Sequence, residues 1–284
     1  MKIAVIGHGF VGKAVSFAFT IPSNTVQVID PIYNSHISEL DEGTSYAFVC
    51  VPTPMGPDGA IDADIVRTCV KEVVERAPHA IIVLKSTVTP EIVNDLASPE
   101  YADTKLVYNP EFLTEKSAQE QFINPPFHIL GGREPDGEPD DRGESSAHRV
   151  ATLYSHHSLC KPAPVHYMSP AEASFVKYGI NTFLATKVTY FNQLFDAMVE
   201  TDHVRPNVVI NAIGLDPRIG SSHTTVPGYD GKRGFGGACF PKDTTALLTD
   251  YPNMTVLEEV IETNNDYRSQ YELDFREKEQ NVRY

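Results

Sequence analysis

The first thirty residues alternate between apolar strands, a glycine-rich turn and a helical run. Lys2 to Ile6 reads as a short strand, and Gly7-His8-Gly9-Phe10-Val11-Gly12 follows it directly. A helical run comes next, and a second apolar strand, Val26 to Ile29, ends at Asp30. This order of strand, glycine turn, helix, strand and acid is the dinucleotide-binding fingerprint in its required context. It predicts that the chain begins with a Rossmann-type, doubly wound α/β sheet.

The glycines and the acid of this segment each have a physical role. Gly7 permits the tight turn, Gly9 allows a pyrophosphate to approach the backbone, and Gly12 lets the helix pack closely on the strand. The N-terminus of the helix faces the phosphates. Asp30 can accept hydrogen bonds from both ribose hydroxyls and would repel a 2′-phosphate. The segment therefore favours NAD over NADP as the cofactor.

Strand-like apolar runs recur through the first half of the chain, and helical or loop segments separate them. They lie near residues 2–6, 26–29, 47–51, 80–84, 105–108, 127–130 and 165–168. This alternation predicts a parallel sheet with helices on both faces, within a domain of residues 1–168. Residues 131–146 are rich in Gly, Pro, Asp and Glu, and we expect them to form a solvated loop.

The second half of the chain has a helical pattern. Ser169-Pro170-Ala171-Glu172 is a capping box, and it predicts a long helix that runs to about Thr201. Further helical segments lie near 204–213, 242–250 and 254–278, so residues 169–284 are expected to form an all-helical domain. The charged residues 272–284 are expected to fray. Because helix 169–201 carries more apolar surface than one small helical layer covers, we expect a homodimer through it.

A cysteine stands between a glycine run and a predicted helix. Residues 234–243 read Gly-Phe-Gly-Gly-Ala-Cys-Phe-Pro-Lys-Asp. Pro241 suits the first turn of a helix, so Cys239 is expected just before the helix N-terminus. The helix dipole and Lys242 favour a thiolate there, and Asp243 lies within reach on the same turn. The pattern predicts a nucleophilic cysteine, and the alternative is a buried structural cysteine beside a turn.

Two further pairs of polar residues have spacings that suit chemistry. Lys177 and Asn181 are four residues apart on the long helix, so they share a face and can stabilise an oxyanion. Asn109 is expected to cap a helix starting at Pro110, which would place Glu111 and Glu115 on one face as acid, base or ligands of sugar hydroxyls. For each pair the alternative is a set of solvated residues on a helix surface.

Two threonines follow predicted strands. Val51-Pro52-Thr53-Pro54 and Lys85-Ser86-Thr87-Val88 each end an apolar run. Ligands of open α/β sheets bind beyond the carboxyl ends of the strands. We therefore expect both threonines near the cofactor.

Composition excludes several classes of function. The formal charge of −15 argues against nucleic acid and anionic membranes as partners. No apolar run approaches the length of a membrane span, and a core strand at the N-terminus leaves no room for a signal peptide. The four cysteines show no CxxC spacing, so we expect neither disulfides nor a metal site. These features predict a cytoplasmic protein.

The motifs resemble those of the UDP-glucose/GDP-mannose dehydrogenase family, in that family's order. The matching segments are GHGFVG at 7–12, VPTP at 51–54, KSTV at 85–88, NPEFLTE at 109–115, VKYGIN at 176–181, PRIG at 217–220 and GFGGACFPKDTTAL at 234–247. The cysteine segment is the most specific of them. Its Phe-Pro-Lys-Asp form is closest to the UDP-glucose 6-dehydrogenase branch.

The resemblance implies a role for each matching residue. The implied catalytic residues are Cys239, Lys177, Asn181, Asp243, Glu115 and Thr87. The implied NAD-binding residues are Gly7, Gly9, Phe10, Val11, Gly12, Asp30, Thr53, Thr87 and Lys242. The implied substrate-binding residues are Glu111, Phe112, Leu113, Glu115, Lys177, Asn181, Arg218, Gly236 and Gly237. Arg218 resembles an arginine that reaches a substrate across a dimer interface.

The resemblance also implies an activity, the two-step oxidation of a primary alcohol of a nucleotide sugar, with UDP-glucose as the expected substrate. It does not reach the family's third, UDP-binding domain, so either residues near Arg218, Lys232 and Arg233 hold the diphosphate unaided or a separate chain supplies that domain. Two alternatives stay open. One is a single-step hydroxyacid dehydrogenase of the 6-phosphogluconate type, which has no need of Cys239. The other is a non-catalytic nucleotide-sugar-binding subunit.

Overall fold

The structure is a computed structural model that describes residues 1–98, 105–132 and 145–284. The chain divides into two compact units. The first comprises Met1–Thr53 and Asp62–Lys177, and the second comprises Pro54–Ile61 and Tyr178–Tyr284. The division after residue 168 that the sequence suggests coincides with the end of the last strand, and it stays a prediction about the domain boundary.

The first unit is built on one sheet, which has seven strands within the described residues. In chain order the strands are β1 Lys2–Ile6, β2 Thr25–Ile29, β3 Tyr46–Val49, β4 Ile81–Leu84, β5 Leu106–Tyr108, β6 His128–Gly132 and β7 Val165–Met168. Their order across the sheet is β2-β1-β3-β4-β5-β6-β7. Each strand lies within two residues of its expected position, because short buried apolar runs between turns are a strong local signal.

Helices cover both faces of this sheet. They are α1 Phe10–Phe19, α2 Asp64–Arg76, α3 Pro90–Leu96, α4 Ala118–Ile123 and α5 Ser146–His156. Successive strand side chains point to opposite faces. Ile3 and Val5 of β1 therefore pack in a cluster with residues of α1, α4 and α5, whereas Ala4 and Ile6 pack with residues of α2 and α3. The doubly wound fold class expected from the sequence is confirmed.

One strand pair corrects the expectation of a wholly parallel sheet. β6 runs antiparallel to β5, with Val107 opposite Gly132, whereas the other neighbouring pairs are parallel. The connection between these strands holds only a 3-10 turn, Glu115–Ser117, and the six-residue helix α4. Such a helix rises only about 9 Å, which is too short to carry the chain back along the sheet for a parallel strand.

The connections at two other places differ from a plain alternation of strands and helices. Between β2 and β3 lie only the 3-10 turns Pro31–Tyr33 and Ile37–Glu39, and β2 is one of the two edge strands of the described sheet. Of the expected loop at 131–146, the first two residues belong to β6 and Ser146 begins α5. Residues 133–144 lie outside the described residues.

The second unit is helical. Its helices are α6 Pro170–Val199, which starts in the first unit, α7 Pro206–Gly214, α8 Phe240–Asp250, α9 Thr255–Arg268 and α10 Phe275–Glu279. The predicted capping box of α6 is present, because Ser169 N donates to Glu172 Oε2 at 2.7 Å and Glu172 N donates to Ser169 Oγ at 3.3 Å. Small apolar clusters hold the helices together, one of them around Phe191 and Ile210.

The C-terminal residues correct a further expectation. The helical segment predicted at 254–278 is two helices, and residues 272–284 pack rather than fray. Asp274 caps α10 by accepting from Glu277 N at 2.8 Å, and the Val282 side chain is buried. The high charge of this segment is misleading, since Glu277 is buried against Arg268. A charge pattern alone does not show which charges meet a partner.

Candidate functional site

The glycine turn of the first unit has the geometry that a dinucleotide needs. A Cβ at Gly7, which has φ +86°, would lie 2.6 Å from the carbonyl oxygen of Cys50, and one at Gly12 would lie 2.0 Å from that of Gly7. A Cβ at Gly9 would meet no atom within 4 Å. Gly7 and Gly12 are therefore required by the fold, whereas the absence of a side chain at Gly9 leaves open space at the N-terminus of α1. The residues present fit a bound pyrophosphate. Phe10 and Val11 form the first turn of α1.

Asp30 lies beside this turn at the end of β2. Its Oδ2 accepts a hydrogen bond from His8 N at 2.5 Å, and its Oδ1 accepts one from Ile32 N at 2.8 Å. The imidazole of His8 is itself held by the hydroxyls of Tyr33 and Ser16, at 2.9 and 2.8 Å. Each carboxylate oxygen keeps a further lone pair, so the group can accept from a ribose. The sequence analysis assigned no role to His8 or Tyr33, because the contact between their side chains depends on how the glycine turn and the segment after β2 pack together.

Thr53 and Thr87 follow β3 and β4 as expected. The Thr53 side chain is buried and that of Thr87 is partly buried. Ser86 Oγ donates to Val51 O at 2.8 Å, which ties the segments after the two strands together. Both threonines therefore lie where the carboxyl ends of neighbouring parallel strands meet.

Asn109 does not cap a helix, which corrects the expectation for residues 109–115. Its Oδ1 accepts from Lys85 Nζ at 2.9 Å and from Tyr154 OH at 2.7 Å, and its Nδ2 donates to Ile129 O at 2.8 Å. Burial lowers the pKa of Lys85 to about 8. With both the oxygen and the nitrogen of its side chain hydrogen-bonded in the core, Asn109 fixes the start of the following segment, which is irregular as far as residue 114.

This irregular segment separates the two acids that were expected on one helix face. The Glu111 side chain is buried, whereas Glu115 is exposed on the 3-10 turn after it. The rings of Phe112 and Phe127 contact each other edge to face, and Leu113 N donates to Glu111 Oε2 at 2.6 Å. A cavity of about 230 Å³ opens here, and its lining includes Lys85, Glu111 and Phe112.

Lys177 reaches Glu111 from α6. Its Nζ lies 3.0 Å from Glu111 Oε1 and donates to the carbonyl oxygen of the same residue at 2.5 Å. The two side chains are only 4% and 7% exposed, and the Phe112 ring centroid lies 5.5 Å from Nζ. Lys177 is therefore not on a solvated helix face. A buried ammonium of this kind is costly unless paired, and it is held in a defined place.

The second unit brings together residues around the start of α8. Cys239 immediately precedes Phe240, the first residue of the helix, and its carbonyl oxygen accepts from Asp243 N at 2.8 Å. The buried Asp243 carboxylate accepts from Asn181 Nδ2 and from Lys242 Nζ, each at 2.6 Å. The placement of Cys239 just before a helix agrees with the sequence. Lys242 is buried in this pair, and its expected contact with NAD stays a prediction.

The glycines before Cys239 lie against charged residues that the sequence analysis missed. Gly237 N donates to Glu277 Oε1 at 3.0 Å, and a Cβ at Gly236 would lie 1.6 Å from Arg268 Nη2. A signal for Glu277 existed, since Asp274 and Glu277 have the spacing of a capping box. The Arg218 side chain is exposed, and its guanidinium pairs with Asp216 at 2.7 Å.

Comparison with known proteins identifies the family. Residues 44–157 match the NAD binding domain of the UDP-glucose/GDP-mannose dehydrogenase family, and residues 171–266 match its central domain. The chain belongs to this family. The match to the NAD binding domain confirms NAD, the cofactor that the sequence predicts.

Individual members of the UDP-glucose/GDP-mannose dehydrogenase family resemble the chain over most of its length. It is 30% identical to the UDP-glucose 6-dehydrogenase TuaD of Bacillus subtilis, over 94% of this chain and 63% of that protein. It is 28% identical to the UDP-glucose 6-dehydrogenase AglM of Haloferax volcanii, over 87% of this chain and 65% of that protein. The chain thus spans slightly less than two thirds of these relatives.

Solved structures of the family have the same fold. A UDP-glucose dehydrogenase from the archaeon Pyrobaculum islandicum superposes with a TM-score of 0.76 and 27% identity, over 93% of this chain and 68% of that one. A UDP-D-ManNAc dehydrogenase from Pyrococcus horikoshii gives a TM-score of 0.74 at 18% identity, which supports the fold alone. No helix among the described residues is long and apolar enough to cross a membrane.

Proposed function

We propose that this chain is an NAD-dependent nucleotide-sugar dehydrogenase that oxidises a primary alcohol to a carboxylate, with UDP-glucose as the first candidate substrate. The observation that carries the proposal is the start of α8. There a cysteine precedes a helix N-terminus, and the Asp243 carboxylate in the first turn is held by Asn181 at 2.6 Å. Family membership supports the same reading.

Cys239 is the proposed nucleophile. The alcohol carbon is first oxidised to an aldehyde, and the Cys239 thiolate adds to it to form a thiohemiacetal. Oxidation of this adduct gives a thioester, and water then cleaves the carbon–sulfur bond, which releases the carboxylate and the thiol. Bound NAD would accept one hydride in each oxidation. The covalent adduct explains why the reaction need not stop at the aldehyde.

Several polar residues have proposed roles in the reaction. Lys177 and Asn181, one turn apart on α6, would donate hydrogen bonds to the oxygen that becomes negatively charged. The contact with Glu111 holds the Lys177 ammonium in place at 3.0 Å. Asp243 and Glu115 would orient the attacking water, and Thr87 would assist near the reacting carbon. These assignments predict that removal of Lys177 or Asn181 lowers kcat more than it raises KM.

The proposed substrate contacts come from residues 111–115, from residues 177–181 and from the glycines before Cys239. They involve Glu111, Phe112, Leu113, Glu115, Lys177, Asn181, Gly236 and Gly237. Arg218 would act on the substrate of the other copy in a homodimer formed through α6. In support of that dimer, Phe183 and Tyr190 of α6 are 67% and 59% exposed and lie seven residues apart, so they share a face.

The proposal is tested by counting NADH released from UDP-glucose, GDP-mannose and UDP-N-acetylmannosamine, with the product analysed by mass spectrometry. We expect two NADH for each molecule of UDP-glucose and a carboxylate product. Cys239→Ala should abolish acid formation, whereas Cys69→Ala, a matched change at a buried cysteine of α2, should preserve it.

Other outcomes identify the alternatives. One NADH per substrate with a ketone product would favour a single-step dehydrogenase. Binding of a nucleotide sugar with no NADH formed would favour a non-catalytic subunit.

A further inference from the structure

The glycine loop before Cys239 rests on a buried polar cluster formed by the last helices of the second unit. A Cβ at Gly236 would lie 1.6 Å from Arg268 Nη2 and 2.6 Å from Glu277 Oε1. Gly234 and Gly237 have φ values of +74° and +79°, which residues other than glycine rarely adopt. The loop can therefore follow this path only because its backbone approaches the cluster without side chains in between.

Glu277 is the centre of this cluster. Its side chain is 0% exposed, and that of Arg268 is 1% exposed. Glu277 Oε1 accepts from Arg268 Nη2 at 2.8 Å, from Gly237 N at 3.0 Å and from Tyr284 OH at 2.6 Å. Oε2 accepts from Asp274 N at 2.8 Å. A buried carboxylate is stable only when it is paired in this way, so its position is well defined.

The segment that carries Glu277 is anchored at a second place in the same unit. Met55 N donates to Gln280 O at 3.0 Å, and Arg283 Nη1 donates to Pro57 O at 3.0 Å. Asp274 caps the N-terminus of α10, the helix that carries Glu277. The carboxylate is therefore held by the protein around it, and the amide of Gly237 is held by the carboxylate.

We propose that Glu277 is a positioning residue for the Cys239 thiol. It accepts a hydrogen bond from Gly237 N, two residues before the cysteine. It also accepts one from the Arg268 guanidinium, and this holds the guanidinium against the backbone of Gly236. Together these contacts fix the direction in which the loop enters α8, and hence the place of the sulfur. This inference rests on the proposed function in one respect, the assignment of Cys239 as the nucleophile.

The test compares Glu277→Ala, Glu277→Gln and the control Glu279→Gln, each at a temperature where circular dichroism shows it to be folded. Glu279 is on the same helix, but its side chain is 48% exposed. The cation beside it, Arg276 Nε, is 3.7 Å from the carboxylate, which is longer than a hydrogen bond. The first measurement is hydrogen exchange of the peptide covering residues 233–239. The second is the rate of formation of the first and of the second NADH in single-turnover reactions with UDP-glucose.

In Glu277→Ala we expect exchange at the Gly237 amide to rise by at least about tenfold, without a change in peptides of the sheet. The second NADH should form on the order of tenfold to a hundredfold more slowly, because it requires the thiol, whereas the first should change by less than about twofold. Glu277→Gln retains an oxygen for Gly237 N and should recover part of both effects.

Unchanged exchange at Gly237 would overturn the proposal, and so would equal slowing of both NADH steps, since a general loss of structure acts on both. If the unmodified protein forms no NADH from any nucleotide sugar, the proposed function fails, and the exchange measurement alone decides whether Glu277 positions the loop.

Discussion

Replacing Glu277 by glutamine should destabilise the protein in a pH-dependent way. Burial alone raises the pKa of this carboxyl, but hydrogen bonds from Tyr284, from the Asp274 and Gly237 amides and from Arg268 outweigh it and lower the pKa from 4.5 to about 2. A depressed carboxyl pKa contributes stability that is present above the unfolded value and is lost as the pH falls through the folded value. The contribution is therefore complete at pH 7 and decreases between pH 4.5 and 2.

The shift gives the size of the effect. Each pKa unit is worth about 1.4 kcal/mol, so the carboxylate contributes about 3 kcal/mol at pH 7 relative to a neutral group of the same shape. At pH 3 the same linkage leaves about 1 kcal/mol. Because glutamine resembles the protonated acid, Glu277→Gln should lose about 3 kcal/mol of unfolding free energy at pH 7 and about 1 kcal/mol at pH 3.

Urea unfolding of the original protein and of Glu277→Gln, followed by far-ultraviolet circular dichroism at pH 7, 4 and 3, measures the difference. Glu279→Gln is the control, and it should change the unfolding free energy by less than about 0.5 kcal/mol, because its ion pair is exposed. A Glu277→Gln loss that is the same at pH 7 and pH 3 would refute the reasoning, since it would show that the charge is not what matters.

Three further predictions follow from the contacts around the sites. Gly12→Ala should destabilise the first unit by at least about 1–3 kcal/mol, because its Cβ would overlap a carbonyl oxygen. Gly9→Ala should leave the thermal unfolding temperature unchanged and weaken NAD binding by roughly tenfold in calorimetry. Lys177→Ala should lower kcat by roughly a hundredfold and lower the unfolding free energy by about 3–5 kcal/mol, because Glu111 is left buried and unpaired. A second change, Glu111→Gln, should restore stability but not kcat. Phe183→Glu should convert a dimer to monomers in sedimentation, and an unchanged mass would argue against an interface through α6.

Local patterns in the sequence were sufficient for much of the fold. The strands were predictable because buried apolar runs are bounded by turns, and the position of Cys239 before a helix followed from the proline two residues later. The glycine turn was predictable because two of its three glycines have no sterically acceptable substitute. In these cases the cause lies within about ten residues of its effect.

Contacts between distant residues were not predictable in the same way. Lys177 and Glu111 are 66 residues apart, and Gly237 and Glu277 are 40 apart. The sequence analysis kept a solvated surface as the alternative for Lys177 and Glu111, and it placed Glu277 in a segment expected to fray. Spacing along a helix or loop does not show what packs against it. The reversed direction of β6 was missed for a related reason, since an apolar run has the same pattern in either direction.

The turn that begins α8 also limits how the chain can vary in length. Cys239 and Asp243 belong to one helical turn, so their relative orientation is set by the helix and is insensitive to the path of the chain before it. Residues 221–233 include highly exposed positions such as Tyr229 and contain no helix or strand. An added residue there can be absorbed as a larger surface loop, whereas one between Cys239 and Asp243 would turn the carboxylate by about 100° around the helix axis. Insertions and deletions among natural relatives should therefore be frequent in the first segment and absent from the second.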